Sequence, residues 1–513
     1  MYINNILYMG ILLMYKGLFR PLKNETILVL NIILSHGGYR MKLTGMGRLI
    51  LPLLMAATLI TLQTACGSNS SDQHDYAFYF TADDGVNGIE LWVSDGTEAG
   101  TTMVKNISAA GDSDPQYFAA MGGKVYFSAY DDTNGTELWV SDGTEAGTTM
   151  VKDINTTGDS YPSYLTAMNG KIYFQADDGV NGLELWVSDG TETGTTIVKD
   201  INTGGTSDPR DFIVMNNRLY FQATDGTHGY ELWVSDGTGA GTQIVKDINP
   251  NAGEGTPNIF AVMNNKLYFR ANDGTNGIEL WTSDGTESGT EMVKDISTAG
   301  SSGPSELTAI NGKIYFTATD DTNGTELWVS DGTGAGTHMV KDINTGGSSA
   351  PSSLIEMNGK LFLKADDGTN DIELWTSDGT EAGTKMVKDI NDTGHSSPAQ
   401  MTVMNNKMYF HATDGSTGFE LYVSDGTEAG TFRVKDIYAD AGNGSPINFA
   451  VMNNRLFFQA TDGTNGAELW ISDGTEEGTV MFLDITGDVN NSEPTGLYWL
   501  NGIEYDKFFV MEI

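Results

Sequence analysis

Glu184-Leu185-Trp186-Val187-Ser188-Asp189-Gly190-Thr191-Glu192-Thr193-Gly194-Thr195 is one of nine near-copies of a single stretch. Its aromatic position recurs at Trp92, Trp139, Trp186, Trp233, Trp281, Trp328, Trp375, Tyr422 and Trp470, in steps of 47 or 48 residues. A period of about 40–50 residues with strand-like content is the sequence signature of a β-propeller.

Working outward from Trp186, one copy divides into four short strands. Tyr164–Met168 is apolar and leads into Asn169-Gly170, a pair suited to a two-residue hairpin because both residues tolerate positive φ. Lys171–Ala176 is rich in aromatic and β-branched residues. A polar loop over residues 177–182 precedes Glu184–Ser188, and the Asp189–Gly194 turn precedes Thr195–Ile201. No apolar spacing of three or four persists inside the repeats, which argues against helices. Large side chains on both faces of the middle strands require cover from both sides, as stacked blades provide. The fold expected is therefore all-β, a propeller of about nine four-stranded blades. The recurring Trp is read as a wedge between blades rather than a ligand platform. Nine of the 12 prolines fall just before a first strand, where no ladder bond is lost. The Asp of each Ser-Asp-Gly turn is expected to close an Asx-turn.

The first copy opens at Tyr76–Phe80, which matches a second strand and has no first strand before it. Gly496–Leu500, followed by Asn501-Gly502, is expected to supply the missing strand, so that pairing of the N- and C-terminal strands closes the ring and hides its edges. On that reading the tail 503–513 has no slot. An open, arc-like stack is the alternative.

Residues 41–65 read as an export signal, with Lys42 and Arg48 ahead of an apolar run and Thr64-Ala65-Cys66 at its end. Residues 1–40 are read as an upstream extension outside the fold, 66–75 as a tether, 76–502 as the repeat domain. The single cysteine, Cys66, permits no internal disulfide. The segment resembles a lipoprotein signal, which implies lipid attachment at Cys66. Gln63 stands where that family has an aliphatic residue, with Leu62 one step earlier, and free secretion is the alternative. Residues 1–65 carry six of the 28 basic and one of the 68 acidic side chains, so the rest carries 22 − 67 = −45. Such a charge disfavours nucleic acid and anionic lipid as partners.

The repeat itself is similar to the ELWxxDGT repeat of bacterial exported proteins, over residues 76–502 of 513, about 83% of the chain. The resemblance implies architecture and export, and it carries no reaction. The expected location is extracytoplasmic, at the outer membrane or cell surface, with membrane contact only through the lipid. Two sets of side chains qualify as sites. Asp178, Asn181 and Glu184, with their equivalents, offer oxygen ligands for Ca²⁺ on the rim made by the loops after second and fourth strands; tight-turn chemistry is the competing reading. A binding site in a repeat ring should also lie where copies differ. The position after the Tyr-Phe pair varies most, and Arg270, Lys364 and His411 place positive or titratable groups there. The six histidines show neither ligand spacing nor a nucleophile partner. The composite expectation is a monomeric, lipid-anchored scaffold that binds a protein or glycan partner through an acidic rim, with the balance against an enzyme. A glycosidase or lyase acting on polysaccharide, and a calcium-binding adhesion protein, are the alternatives.

Overall fold

The computed structural model describes residues 31–35, 38–42, 76–250, 253–439, 441–487, 491–492, 494 and 509–512. Nine four-stranded antiparallel sheets succeed one another in a ring, a nine-bladed β-propeller, with no helix among the described residues. Blades are numbered here in chain order, from the one that holds Trp92 to the one that holds Trp470. Blade 3 shows the pattern, with strands Ser163–Met168, Lys171–Asp177, Leu183–Ser188 and Thr196–Lys199 paired in that order. The first strands of successive blades approach one another from blade 2 round to blade 9 and on to blade 1, so they line the axis. Asn169 and Gly170 take φ of 53° and 69°, as a hairpin of this kind demands.

Each letter of the repeated stretch has a local task. Asp189 Oδ1 accepts the Thr191 N–H at 3.0 Å and the Thr191 hydroxyl at 2.7 Å, the expected Asx-turn. Thr191 Oγ1 in turn accepts from Gly194 N at 3.0 Å. Thr195 spends its one hydroxyl proton on Thr191 O at 2.7 Å, so Ser188 Oγ, 2.7 Å away, donates to Thr195 and accepts from Gly190 N. Gly190 has φ of 89°, and a Cβ there would lie 2.2 Å from the Tyr126 hydroxyl oxygen of blade 2. The turn is therefore also a contact between blades.

The nine aromatic side chains at the Trp186 position are only 4–8% exposed, which settles their role as packing. Trp186 clusters with Val151 and Ile154 of blade 2. Lys152 of blade 2 lies 5.7 Å from the Trp186 ring centroid and donates to Thr195 O at 2.8 Å. Seven such lysines, from Lys105 to Lys388, reach the next blade's Thr carbonyl at 2.7–2.9 Å. The fourth strand stops at Lys199, earlier than expected, because Ile201 N turns away from the ladder to the Glu184 carboxylate at 2.7 Å.

The ring closes through its termini, though not with the strand expected. Phe509–Glu512 pairs antiparallel with the start of Tyr76–Asp83, matching Tyr76 with Glu512 and Tyr79 with Phe509. The tail thus fills the place assigned to Gly496–Leu500, which lies outside the described residues. At the seam Leu483 stands where the other blades have lysine. Aromatic packing takes over there, with Phe78 and Phe457 centroids 4.8 Å apart, and Asp83 N donates to Ser492 O at 2.8 Å. Residues 1–73 form a separate unit whose described part is one antiparallel pair, Asn31–Ser35 with Gly38–Lys42. Cys66 and its tether lie outside the described residues.

Candidate functional site: one mouth of the ring

The crossovers and the loops after second strands share one end of the ring. Asp178 Oδ1 accepts from Val180 N and Asn181 N at 2.9 and 2.8 Å, and its Oδ2 accepts from Asn181 Nδ2 at 2.7 Å. Burial raises the Asp178 pKa, but these bonds outweigh it and hold the group below the ordinary aspartate value. Glu184 points the other way. Fully buried, it accepts from Ile201 N, Asn202 N, Ser207 N and Ser207 Oγ, which ties the crossover to the third strand. Asp178, Asn181 and Glu184 therefore serve as turn and crossover ties. Among the described residues no three His, Cys, Asp or Glu side chains are grouped to hold a metal ion. Burial raises the pKa of all nine glutamates at this position, to about 7 in Glu90, Glu137, Glu231, Glu373 and Glu420.

The variable second-strand position lies opposite the first residue of the first strand, at the same mouth. Several neutral residues there are tied within the ring: Gln175 accepts from Ser163 Oγ at 2.7 Å and donates to Asp208 at 2.7 Å, and Thr317 and Gln459 bond Ser305 and Asn448. Of the three singled-out residues, Arg270 is tied in the same way and Lys364 and His411 are not. Arg270 is half-buried; its Nε donates to Asn258 Oδ1 at 2.6 Å, and Asp211 opposes the lowering of its pKa by burial. Lys364 is half-buried with no hydrogen-bond or ion-pair partner among the described residues. His411, in the next blade, faces Ala399, which offers no side-chain polar atom. Its Nδ1 lies 3.2 Å from Pro446 O, and burial together with the Lys364 charge pushes its pKa down to about 4.

A further feature of the mouth escaped the sequence reading. In blades 2 to 9 the second residue of the first strand has φ between 55° and 58°: Tyr117, Tyr164, Asp211, Ile259, Glu306, Ser353, Gln400 and Asn448. Each sits in a β-bulge; in blade 3 the register jumps between Ser163 and Thr166. The residue two places after each crossover proline changes in nearly every copy, a signal present in the sequence. Its backbone conformation was not, since neither Tyr nor Ile favours positive φ. None of the four described histidines hydrogen-bonds a hydroxyl; the serine–glutamate pairs such as Ser207–Glu184 are the hydroxyl–carboxylate contacts that recur through the blades.

Neither a family model nor a curated protein matches the chain. Among solved structures it is similar to a puromycin hydrolase, at 13% identity over 72% of this chain and 53% of that one, TM-score 0.36. It is also similar to a prolyl endopeptidase (11% identity, 68% of this chain and 54% of that one, TM-score 0.37). A third is prolyl oligopeptidase B from Galerina marginata (12%, 63% and 51%, TM-score 0.35). The chain spans about half the length of these structures, and the likeness extends to the fold alone. All three are hydrolytic enzymes by name. Those names stand against the expected scaffold with an acidic partner-binding rim and against the balance away from an enzyme, and they say nothing further of this chain. The rim fits the correction, because carboxylates such as Asp178 are already committed to their own loops.

Proposed function

We propose that the ring is the peptide-admitting part of a hydrolytic system, and that its mouth captures a carboxylate of the incoming peptide at Lys364 and Arg270. The observation that carries this is the half-buried amino group of Lys364, which has no hydrogen-bond or ion-pair partner among the described residues, in a chain of net charge −40. A lysine at that depth is placed to bond an anion at shorter range and with less competing water than one on the open rim. His411, neutral beside it, adds a hydrogen-bonding edge without a competing charge. Peptide is favoured because the first strand of each blade is an edge of its sheet, with backbone N–H and C=O groups open toward the axis for an extended chain. Bond cleavage would fall to groups outside the described ring. Export and lipid attachment at Cys66 belong to the same reading, supported by Lys42, Arg48 and the apolar run before the cysteine.

Fluorescence anisotropy with a labelled hexapeptide pool, prepared as free acid and as amide, tests it. The free-acid pool should bind the wild type, and Arg270→Ala with Lys364→Ala should weaken binding by roughly tenfold or more. Equal binding of acid and amide pools would rule the site out.

A further inference from the structure

We infer that a cavity at the rim of blade 7 receives the guanidinium or ammonium group of a basic side chain of the bound peptide. The inference rests on the peptide-admitting reading and gives it a second anchor, on the blade that carries Lys364. The cavity holds about 190 Å³ between the loop after the second strand and the crossover that follows Lys385–Lys388. Asn370, Asp371, Asp389, Asn391 and Asp392 line it, and among the described residues no lysine or arginine does. Most of its polar atoms are acceptors. Asn370 spends its Nδ2 on Asp367 Oδ2 at 2.8 Å, and Asn391 spends its own on His395 O at 3.0 Å. The Thr393 hydroxyl spends its proton on Asn391 Oδ1 at 3.0 Å. Asp389 Oδ1 is buried and has no hydrogen-bond partner among the described residues. A cationic donor that enters the cavity therefore meets a carboxylate oxygen shielded from competing water.

Blade 7 departs from the repeat twice at this place. Asp371, at φ of 61°, stands where the other eight blades have glycine. Asp392 stands where the others have threonine, alanine, proline or glycine. Neither change serves the fold, since positive φ favours glycine and uncharged residues suffice for the crossover elsewhere. Two carboxylates thus join Asp389, an aspartate the repeat supplies in most blades, at one cavity. His395 orients the first of them: its Nδ1 accepts from Ile372 N at 3.0 Å, which leaves the proton on Nε2, 3.5 Å from Asp371 Oδ1. A metal ion fits less well, because no three His, Cys, Asp or Glu side chains among the described residues are grouped to hold one. A guanidinium spreads five N–H donors, and an ammonium three on a flexible stem, over acceptors that share no single centre. The loop carboxylate at the Asp178 position stays committed in blade 7 as elsewhere, with Asp367 Oδ1 accepting from Thr369 N and Asn370 N at 2.9 and 2.7 Å. The site is one pocket, not the rim as a whole. Lys364 stands on the strand that leads into this loop, so a peptide held by both carries a basic side chain as well as a free carboxylate.

The test uses the full chain and labelled hexapeptides alike except for arginine or citrulline at the second position, each prepared as free acid and as amide. In both forms the wild type should prefer arginine over its neutral isostere by about tenfold. Asp371→Gly with Asp392→Thr gives blade 7 the residues of neighbouring blades, so the variant should fold, and its melting temperature verifies this. The double change should abolish the arginine preference and leave the acid-over-amide preference intact, while Lys364→Ala should do the reverse. An arginine preference absent from the wild type, or surviving the double change, overturns the pocket. Equal binding of acid and amide with the arginine preference kept overturns the carboxylate reading and spares the pocket. Calcium chloride at about 1 mM that displaces the arginine peptide, and raises the melting temperature of the wild type but not of the variant, would transfer the pocket to a metal ion and overturn the peptide assignment.

Discussion

Gly190→Ala probes the junction between blades more sharply than any core truncation. At φ of 89° an alanine enters a region L-residues disfavour, a cost of about 1–2 kcal/mol. Its Cβ would also lie 2.2 Å from the Tyr126 hydroxyl oxygen and 3.2 Å from Cζ, so the ring must shift within a packed interface, for about 1–3 kcal/mol more. Gly426 provides an internal control. Its φ is 88°, but Phe362 stands in the tyrosine's place and a Cβ would come only to 2.9 Å of its Cζ. Gly426→Ala should therefore show the same backbone cost with a smaller steric one. Tyr126→Phe in the Gly190→Ala background should recover much of the difference, because the Tyr126 hydroxyl makes no hydrogen bond among the described residues. Scanning calorimetry measures all three, at roughly 2 °C or less per kcal/mol for a domain of this size. Equal losses from Gly190→Ala and Gly426→Ala, or no recovery with Tyr126→Phe, would refute the close-approach account.

The buried glutamates set the pH dependence of stability. Their folded pKa lies above the unfolded value of 4.5, so their contribution is complete below pH 4.5 and is lost as pH rises through about 7, by up to about 3 kcal/mol for Glu137. Melting temperature should fall between pH 5 and 8, and Glu137→Gln should flatten that slope while lowering stability overall; a flat wild-type profile would contradict the assignment. Turn aspartates such as Asp189 are held low by Thr191 and act in the opposite sense, favouring the fold above pH 3.8 and losing that contribution as pH falls. Deleting residues 509–513 removes the first strand of blade 1 and should broaden the melt, with blade 1 losing hydrogen-exchange protection ahead of blade 5. Uniform protection loss would mean that the ring does not depend on this strand.

Much of this protein was legible along the chain because its strongest signals are local. The Asp189–Thr191 and Ser188–Thr195 bonds span two and seven residues, and turn chemistry over such distances is readable from residue type. The variable position that holds Arg270, Lys364 and His411 was also visible, as a break in repetition. Glu184 was misjudged for a complementary reason. Its partners Ile201 and Ser207 lie 17 and 23 residues away, and only the crossover's path turns a rim carboxylate into a buried tie.

The sequence by itself determined the repeat, the blade count and the strand order, because a period of 47 or 48 residues and paired turn signals leave little freedom for four short strands. Tertiary structure alone decided which segment closes the ring, since Phe509–Glu512 carries no repeat signature and is chosen by the empty edge of Tyr76–Asp83. It alone also brought Tyr117, Tyr164 and Phe212 into one row. Residues a full repeat apart in the chain become neighbours only when first strands gather about a common axis, and that juxtaposition comes from ring closure, not from local propensity.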